Sequence, residues 1–230
     1  LLKRYGVSTT FYDPLIGAGI EALIQANTRV IFLESPGSLT LEIQDVPAIT
    51  AVAQKHNITT IIDNTWATPL YFKAFEHGVD IVVQAVTKYI GGHSDVLMGA
   101  ITANERTYRS VRQTAHQTGQ FAGGMDIALV LRGLRTLPVR LREHECNALH
   151  IAQWFEQQPA VEHVIHPALP SHPQHALWQR DFLGSSGLFT VVFKPEYSAE
   201  QINQMVERYQ HFSIGYSWGG FESLALPVHA

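Results

Sequence analysis

Short apolar runs alternate with helical patterns through the first half of the chain, and each run ends in polar residues. A strand is predicted around Val7 to Tyr12, followed after Asp13 and Pro14 by a short helical pattern with Ile20, Leu23 and Ile24 on one face. The run RVIFL at 29–33 is rich in branched side chains and ends in Glu34, Ser35, Pro36 and Gly37, which predicts a strand feeding a polar loop. Asp45 is placed to cap a helix with Pro47 in its first turn, where a missing amide hydrogen costs little, and that helix runs to about His56. A second strand, Thr59 to Ile62, ends in Asp63, Asn64, Thr65 and Trp66. After a short segment near Leu70 to His77, a third strand, Ile81 to Val86, is nearly continuously apolar, as a strand covered on both faces would be. It delivers Lys88 into a turn with Gly91, Gly92, His93, Ser94 and Asp95, and a fourth strand is predicted from Val96 to Thr102.

Strands and helices joined by short loops predict an α/β fold with a mainly parallel sheet, right-handed crossovers, and ligands at the carboxyl ends of the strands. Glu34, Asp63 and Lys88 all fall at such ends. From Asn104 the pattern becomes helical, with one helix to about Gln117 and another from Met125 to Leu137. Pro138 then precedes a helix to about Gln158 that aligns Ala148, Leu149, Ala152 and Phe155. The remaining elements are shorter: strands near Val161 to Ile165, Leu188 to Phe193 and Phe212 to Tyr216, and a helix from Ser198 to about Tyr209. We therefore expect a large domain at 1–135 and a smaller α/β domain at 136–230 that begins with a long connecting helix.

Length agrees with this division, since 230 residues exceed the roughly 150 of one typical domain. With 46% hydrophobic and 16% charged residues and a net charge of -4, the chain has an ordinary globular composition and no basic footprint for nucleic acid. No window approaches the ~18 apolar residues of a membrane span, and the first residues lack the apolar run of a signal peptide. A cytoplasmic protein is expected, with Cys146 as a structural thiol whose neighbours Glu143 and Glu145 oppose a thiolate. The chain begins without Met and stops at PVHA after an apolar stretch, which reads as a piece of a longer polypeptide.

Lys88 is either a lysine that snorkels to water or an amine whose charged form is disfavoured by its apolar strand, and the second reading makes it a nucleophile. Asp63 is either a cap for local amides or a carboxylate facing a ligand. Asp63 and Lys88 close neighbouring strands, so one crossover sets both over the same sheet edge. A carboxylate for a pyridinium nitrogen and a lysine for a Schiff base are the protein groups that pyridoxal phosphate (PLP) chemistry most needs. Thr87 adds a hydroxyl suited to a phosphate. The 12 histidines include His93 near Asp95 and the run His166, His172 and His175. Neither group has a compelling ligand spacing, so no metal site is expected. The arginines between Arg132 and Arg142 read as a solvated or interdomain face.

These residues resemble a known family. The stretch Asp80 to Ser94, with Thr87, Lys88, Tyr89, Gly91 and Gly92, is similar to the lysine signature of the Cys/Met metabolism PLP enzymes of fold type I, and DNTWATP at 63–69 is similar to their strand-end aspartate motif. ESPGS at 34–38, RGLRTLPVR at 132–140 and YSWGGFES at 216–223 extend the resemblance to nearly the whole chain. It implies Lys88 as the Schiff-base and proton-transfer lysine, Asp63 as the pyridinium partner and Thr87 as a phosphate ligand. Ser38 is implied near the ring hydroxyl, and Ser217 and Trp218 beside the substrate carboxylate. Ala85 stands where many members carry a serine, and Trp218 where γ-acting members carry leucine. The bulk of Trp218 points to β-elimination of cystathionine, giving homocysteine, pyruvate and ammonia in methionine biosynthesis. The alternatives are a γ-lyase, a γ-synthase, a cysteine or cystine desulfhydrase, or an inactive domain that keeps the fold. The resemblance also implies a homotetramer, and it puts the phosphate turn, the ring-stacking tyrosine and the carboxylate-clamping arginine outside residues 1–230.

Overall fold

Four strands carry the site and hydrogen-bond in chain order: β1 (Val30–Glu34), β2 (Thr59–Asp63), β3 (Ile81–Ala85) and β4 (Gly99–Ala103). This arrangement comes from a computed structural model, which describes residues 2–228. β1 and β2 are parallel with Glu34 opposite Asp63, and β2 and β3 are parallel with Asp63 opposite Val83. Their crossovers contain α1 (Val46–Lys55) and α2 (Thr68–Tyr71). The expected α/β class with a mainly parallel sheet is the observed one, but β4 returns antiparallel to β3. Residues 86–98 between them fold as a turn and contain no crossover helix, and a chain that reverses without a crossover pairs antiparallel.

The Asp45 side chain accepts a hydrogen from the Ala48 amide at 3.2 Å and starts α1, whose Val46, Ile49, Val52 and Ala53 are buried with Ile31, Leu33, Ile62 and Val82 of the sheet. Val30 and Phe32 are exposed, and Ile81 and Val83 are half-buried. The second sheet face is therefore covered less completely than the apolar run of β3 predicts. The expected strand near Val7 to Tyr12 finds no ladder, although the Tyr12 hydroxyl donates to the Phe32 carbonyl at 2.8 Å. The helical pattern around Ile20 is a 3₁₀ helix, Gly17–Leu23, with Gly17 in the left-handed region at φ 51°.

Asn104 caps α3 (Glu105–Gln117) by accepting from the Thr107 amide. α4 (Gly124–Glu156) is continuous for 33 residues and runs through Pro138, where two helices were expected. Proline removes the donor for the Leu134 carbonyl. In the same turn the Gly133 carbonyl receives hydrogens from the Thr136 hydroxyl at 3.1 Å and Arg140 Nη2 at 2.8 Å. The division expected between residues 135 and 136 falls inside this helix.

Beyond α4, β5 (Val161–Ile165) pairs antiparallel with β6 (Thr190–Phe193). Between them lies α5 (His175–Asp181), an element the proline-rich sequence does not announce. Arg180 fastens it to the start of α1 through an ion pair with Asp45, and also pairs with its own neighbour Asp181. α6 (Ala199–Glu207) starts at a reciprocal cap between Ser198 and Gln201. β7 (Ser213–Ile214) pairs with β8 (Leu224–Ala225), a strand too short to read from its sequence.

A second core cluster, Val86, Tyr89, Ile90, Val96, Val130, Leu137 and Leu141, joins α4 to the turn after β3. At Gly133 the helix backbone lies directly on that turn, and a Cβ there would overlap the carbonyl oxygens of Ile90 and Gly91. In an ordinary helix interior, replacing glycine by alanine stabilises. Gly133→Ala is expected instead to destabilise by about 1–3 kcal/mol, because backbone blocks the new methyl. Urea unfolding checks this, and a variant as stable as wild type would contradict the packing.

Candidate active site

The carboxyl ends of β1 and β2 hold Glu34 and Asp63 side by side. The amide and hydroxyl of Thr65 both donate to Asp63 Oδ1, the amide at 2.8 Å, while Thr65 Oγ1 accepts from the Ala85 amide at 2.9 Å. Thr65 therefore fastens the Asp63 carboxyl to the end of β3, three residues before Lys88. Among the described residues no hydrogen bond reaches Asp63 Oδ2, which leaves one oxygen of a held carboxyl for a ligand. The following loop is tied inward: Asn64 Nδ2 donates to the carbonyls of Thr68 and Phe72, and Trp66 Nε1 donates to the Leu188 carbonyl. Thr68 sits at φ 58°, a costly conformation for a branched side chain, and these bonds hold the loop against it.

β3 ends at Ala85, and the chain turns at once. The Lys88 amide donates to the Ala85 carbonyl, the Gly91 amide to Val86 and the Gly92 amide to Lys88. Gly92 takes φ 69°, which glycine allows without penalty. Lys88 Nζ donates to Ser217 Oγ at 2.8 Å and lies 5.0 Å from the centre of the Trp218 ring. Burial pushes the Lys88 pKa below its ordinary value, because a low-dielectric surrounding disfavours the ammonium. The partners of Lys88 arrive from a loop 129 residues away in sequence. That loop lies flat on the turn: a Cβ at Gly219, itself at φ 81°, would stand 2.8 Å from the Tyr89 amide nitrogen. Ser94 Oγ donates to Glu222 Oε2 at 2.6 Å and latches the two segments together.

Lys88, Ser217 and Trp218 thus meet, with Asp63 one strand away through Thr65. Two other predicted residues have local partners. Thr87 Oγ1 donates to the Met98 carbonyl at 3.2 Å and accepts from the Met98 amide at 2.9 Å. Ser38 is exposed and donates to Glu34 Oε1 at 2.8 Å. Burial pushes the Glu34 carboxyl up, and the neighbouring Asp63 charge adds to this while the Ser38 bond opposes it. Thr65 and Glu222 were not anticipated as part of the site, since nothing in their local sequence shows a partner 20 or more residues away.

The arginine run at 132–142 is not uniform. Arg132, Arg135 and Arg142 are exposed, whereas Arg140 is half-buried and reaches the carbonyls of the lysine turn. Three of the histidines serve loop structure: Nδ1 of His166 accepts from the Ala168 amide, Nδ1 of His172 from the Gln174 amide, and His93 Nδ1 donates to the Gly91 carbonyl. Among the described residues no group of three or more His, Cys, Asp or Glu is arranged to hold a metal ion, and no helix is long and apolar enough to cross a membrane.

The residues present fit PLP: an amine biased toward its neutral form, a fixed carboxyl with one oxygen unengaged, and both at one edge of a sheet. The family model for Cys/Met metabolism PLP-dependent enzymes matches residues 1–229. The chain is 46% identical over 228 residues to the cystathionine beta-lyase of Haemophilus influenzae, covering 98% of this chain and 58% of that protein. It is 44% identical over 227 residues to the L-alanine/L-glutamate racemase of Wolbachia pipientis, covering 99% of this chain and 56% of that one. The crystal structure of cystathionine gamma-lyase from Lactobacillus plantarum complexed with L-serine superposes with a TM-score of 0.92 at 31% identity, covering 97% of this chain and 58% of that one. The chain therefore spans less than two thirds of the length of each of these relatives.

The environment of the amine is open to titration. In the cofactor-free full-length protein, modification of Lys88 by trinitrobenzenesulfonate, followed on its peptide by mass spectrometry, is expected to reach its half-maximal rate below pH 10.5. A midpoint at or above that value would contradict the burial of the amine.

Proposed function

Because the chain belongs to the family of Cys/Met metabolism PLP-dependent enzymes, we propose that the full-length protein carrying it is a carbon–sulfur lyase that splits L-cystathionine by β-elimination. The net reaction consumes one water and yields homocysteine, pyruvate and ammonia. The observation that carries this reading is the Lys88 amine, partly desolvated, held on Ser217 Oγ and flanked by Trp218, with Asp63 on the adjoining strand.

Bound at this edge, PLP supplies an aldehyde for amines and a ring that accepts an electron pair. Asp63 holds the proton at the ring nitrogen, and Thr65 keeps that carboxyl from rotating away. With PLP bound, Lys88 would hold its aldehyde and, once freed by the substrate amine, would take the proton from the substrate α carbon. Burial favours the neutral amine, the form that accepts a proton. Ser217 aims Nζ by accepting one of its hydrogens, and the Trp218 ring shields one side from water. The electron pair left by the α proton would then expel the sulfur from the β carbon as a thiolate that takes up a proton, and water would hydrolyse the remaining fragment to pyruvate and ammonia. Thr87 is assigned to the phosphate, toward which its hydroxyl would turn from the Met98 carbonyl at 3.2 Å. Ser38 is assigned to the rim of the ring, backed by Glu34.

We assign residues 1–135 to the cofactor-binding domain and 136–230 to the smaller one, and the reading extends to a cytoplasmic homotetramer, as the resemblance implies. The racemase relative supports a second reading, in which the same α carbon is reprotonated on its other face and no carbon–sulfur bond breaks. Products separate the two: pyruvate with homocysteine from cystathionine supports the lyase, and D-amino acid from L-alanine or L-glutamate supports the racemase. A γ-acting enzyme would release cysteine in place of homocysteine.

In the full-length protein Lys88→Ala is expected to abolish both turnover and the borohydride-trapped cofactor adduct on the peptide containing residue 88, and survival of both would sink the assignment. Asp63→Ala is expected to retain cofactor absorbance and to lower kcat by about 100-fold or more, as removal of a main electrostatic stabiliser does. Unchanged kcat would remove Asp63 from its role.

A further inference from the structure

We propose that Arg140 is the positioning residue for Lys88: from the middle of α4 its guanidinium grips the backbone of the turn that aims the amine. The inference rests on the reading of Lys88 as the Schiff-base lysine. Its physical basis is a shortage of donors. Tyr89 and Ile90 are buried, at 2% and 9% exposure, and among the described residues no backbone amide donates to either carbonyl. Buried carbonyls need partners. Arg140 supplies them, with Nη1 on the Tyr89 carbonyl at 2.7 Å and Nη2 near the Ile90 carbonyl at 3.3 Å.

The same guanidinium is fixed from behind by its own helix. Nε donates to Thr136 Oγ1 at 2.9 Å, and Nη2 also donates to the Gly133 carbonyl at 2.8 Å, in the turn that Pro138 deprives of a donor. Among the described residues no carboxylate pairs with Arg140, so these donors serve the helix turn and the lysine turn. Two glycines make room for the grip. A Cβ at Gly92 would overlap the guanidinium, and a Cβ at Gly133 would push α4 off the carbonyls of Ile90 and Gly91. Arg140, Gly92 and Gly133 thus describe one device, in which α4 presents an arginine to the turn one residue beyond the reactive lysine.

The turn has a second tie, since the buried Tyr89 hydroxyl accepts from the Gly187 amide at 2.7 Å. That contact fixes the Tyr89 side chain, whereas Arg140 fixes the peptide planes. Loosening the planes swings the Lys88 side chain on its four-carbon stem away from Ser217 Oγ. Proton transfer is sensitive to displacements of about 1 Å, which cost roughly 100-fold in rate.

The test uses the full-length protein with and without cofactor, and two variants, Arg140→Met and Arg140→Lys. In Arg140→Met, hydrogen exchange of peptides covering residues 86–95 is expected to accelerate roughly tenfold or more, the scale set by losing two charge-assisted bonds. kcat on cystathionine is expected to fall about 10- to 100-fold, with KM changed less than about threefold, because the substrate itself is not touched. Arg140→Lys, which restores one donor, falls between. Unchanged exchange in 86–95, or acceleration spread evenly along α4, would overturn the proposal. Should Arg140→Met fail to fold, Thr136→Val, which removes the acceptor behind Nε together with the hydroxyl's bond to the Gly133 carbonyl, must still accelerate exchange in 86–95, and protection equal to wild type counts against it. Exchange in the cofactor-free protein reads the grip whether or not Lys88 carries cofactor. A protein with no borohydride-stable adduct at Lys88 would therefore overturn the functional reading separately from the grip.

Discussion

Parallel pairing of β1, β2 and β3 is the constraint on which the site depends. It aligns the carboxyl ends of three strands, so Glu34, Asp63 and the segment leading to Lys88 leave the sheet at one edge without further arrangement. A shift of one residue would turn Asp63 to the opposite face, since side chains alternate along a strand. The alternating burial of Ile31, Leu33 and Ile62 against α1 opposes such a shift. The apolar core under the sheet thus sets where the polar chemistry sits above it.

Electrostatics then differentiates groups that start alike. Glu34 and Asp63 are adjacent carboxyls, but Glu34 is half-buried and pushed up, while Thr65 gives Asp63 two hydrogens at one oxygen. The two carboxyls thus differ in surroundings: Ser38 donates to Glu34 Oε1, and Thr65 donates to Asp63 Oδ1 alone. Lys88 is treated in the opposite sense, since burial costs its charged form and no carboxylate stands against Nζ among the described residues. A hydroxyl and an aromatic face are its neighbours, and both tolerate a neutral amine.

The lysine turn is where the two halves of the chain are joined. α4 meets it backbone to backbone at Gly133, the strap at 216–222 covers it from the other side, and the Tyr89 hydroxyl reaches Gly187. Each contact comes from a different distance along the sequence, and all converge on residues 87–94. Contacts from several elements at once hold the position of the Lys88 amine against thermal motion.

Local pattern was enough for much of this. The strands β1, β2 and β3, the capped start of α1, the starts of α3 and α6, and the strand-end positions of Asp63 and Lys88 were legible, because apolar runs, caps and glycine turns act within a few residues. The two motifs around Asp63 and Lys88 were legible together for the same reason, since one crossover separates them. Only the tertiary structure decided that β4 returns antiparallel, that α4 continues through Pro138, that residues 7–12 find no strand partner and that α5 folds amid prolines. It also decided that Arg140 turns inward while its neighbours in the run face water. These outcomes depend on hydrogen-bond partners and backbone approaches dozens of residues away, and a residue's immediate neighbours do not reveal which distant carbonyl lacks a donor.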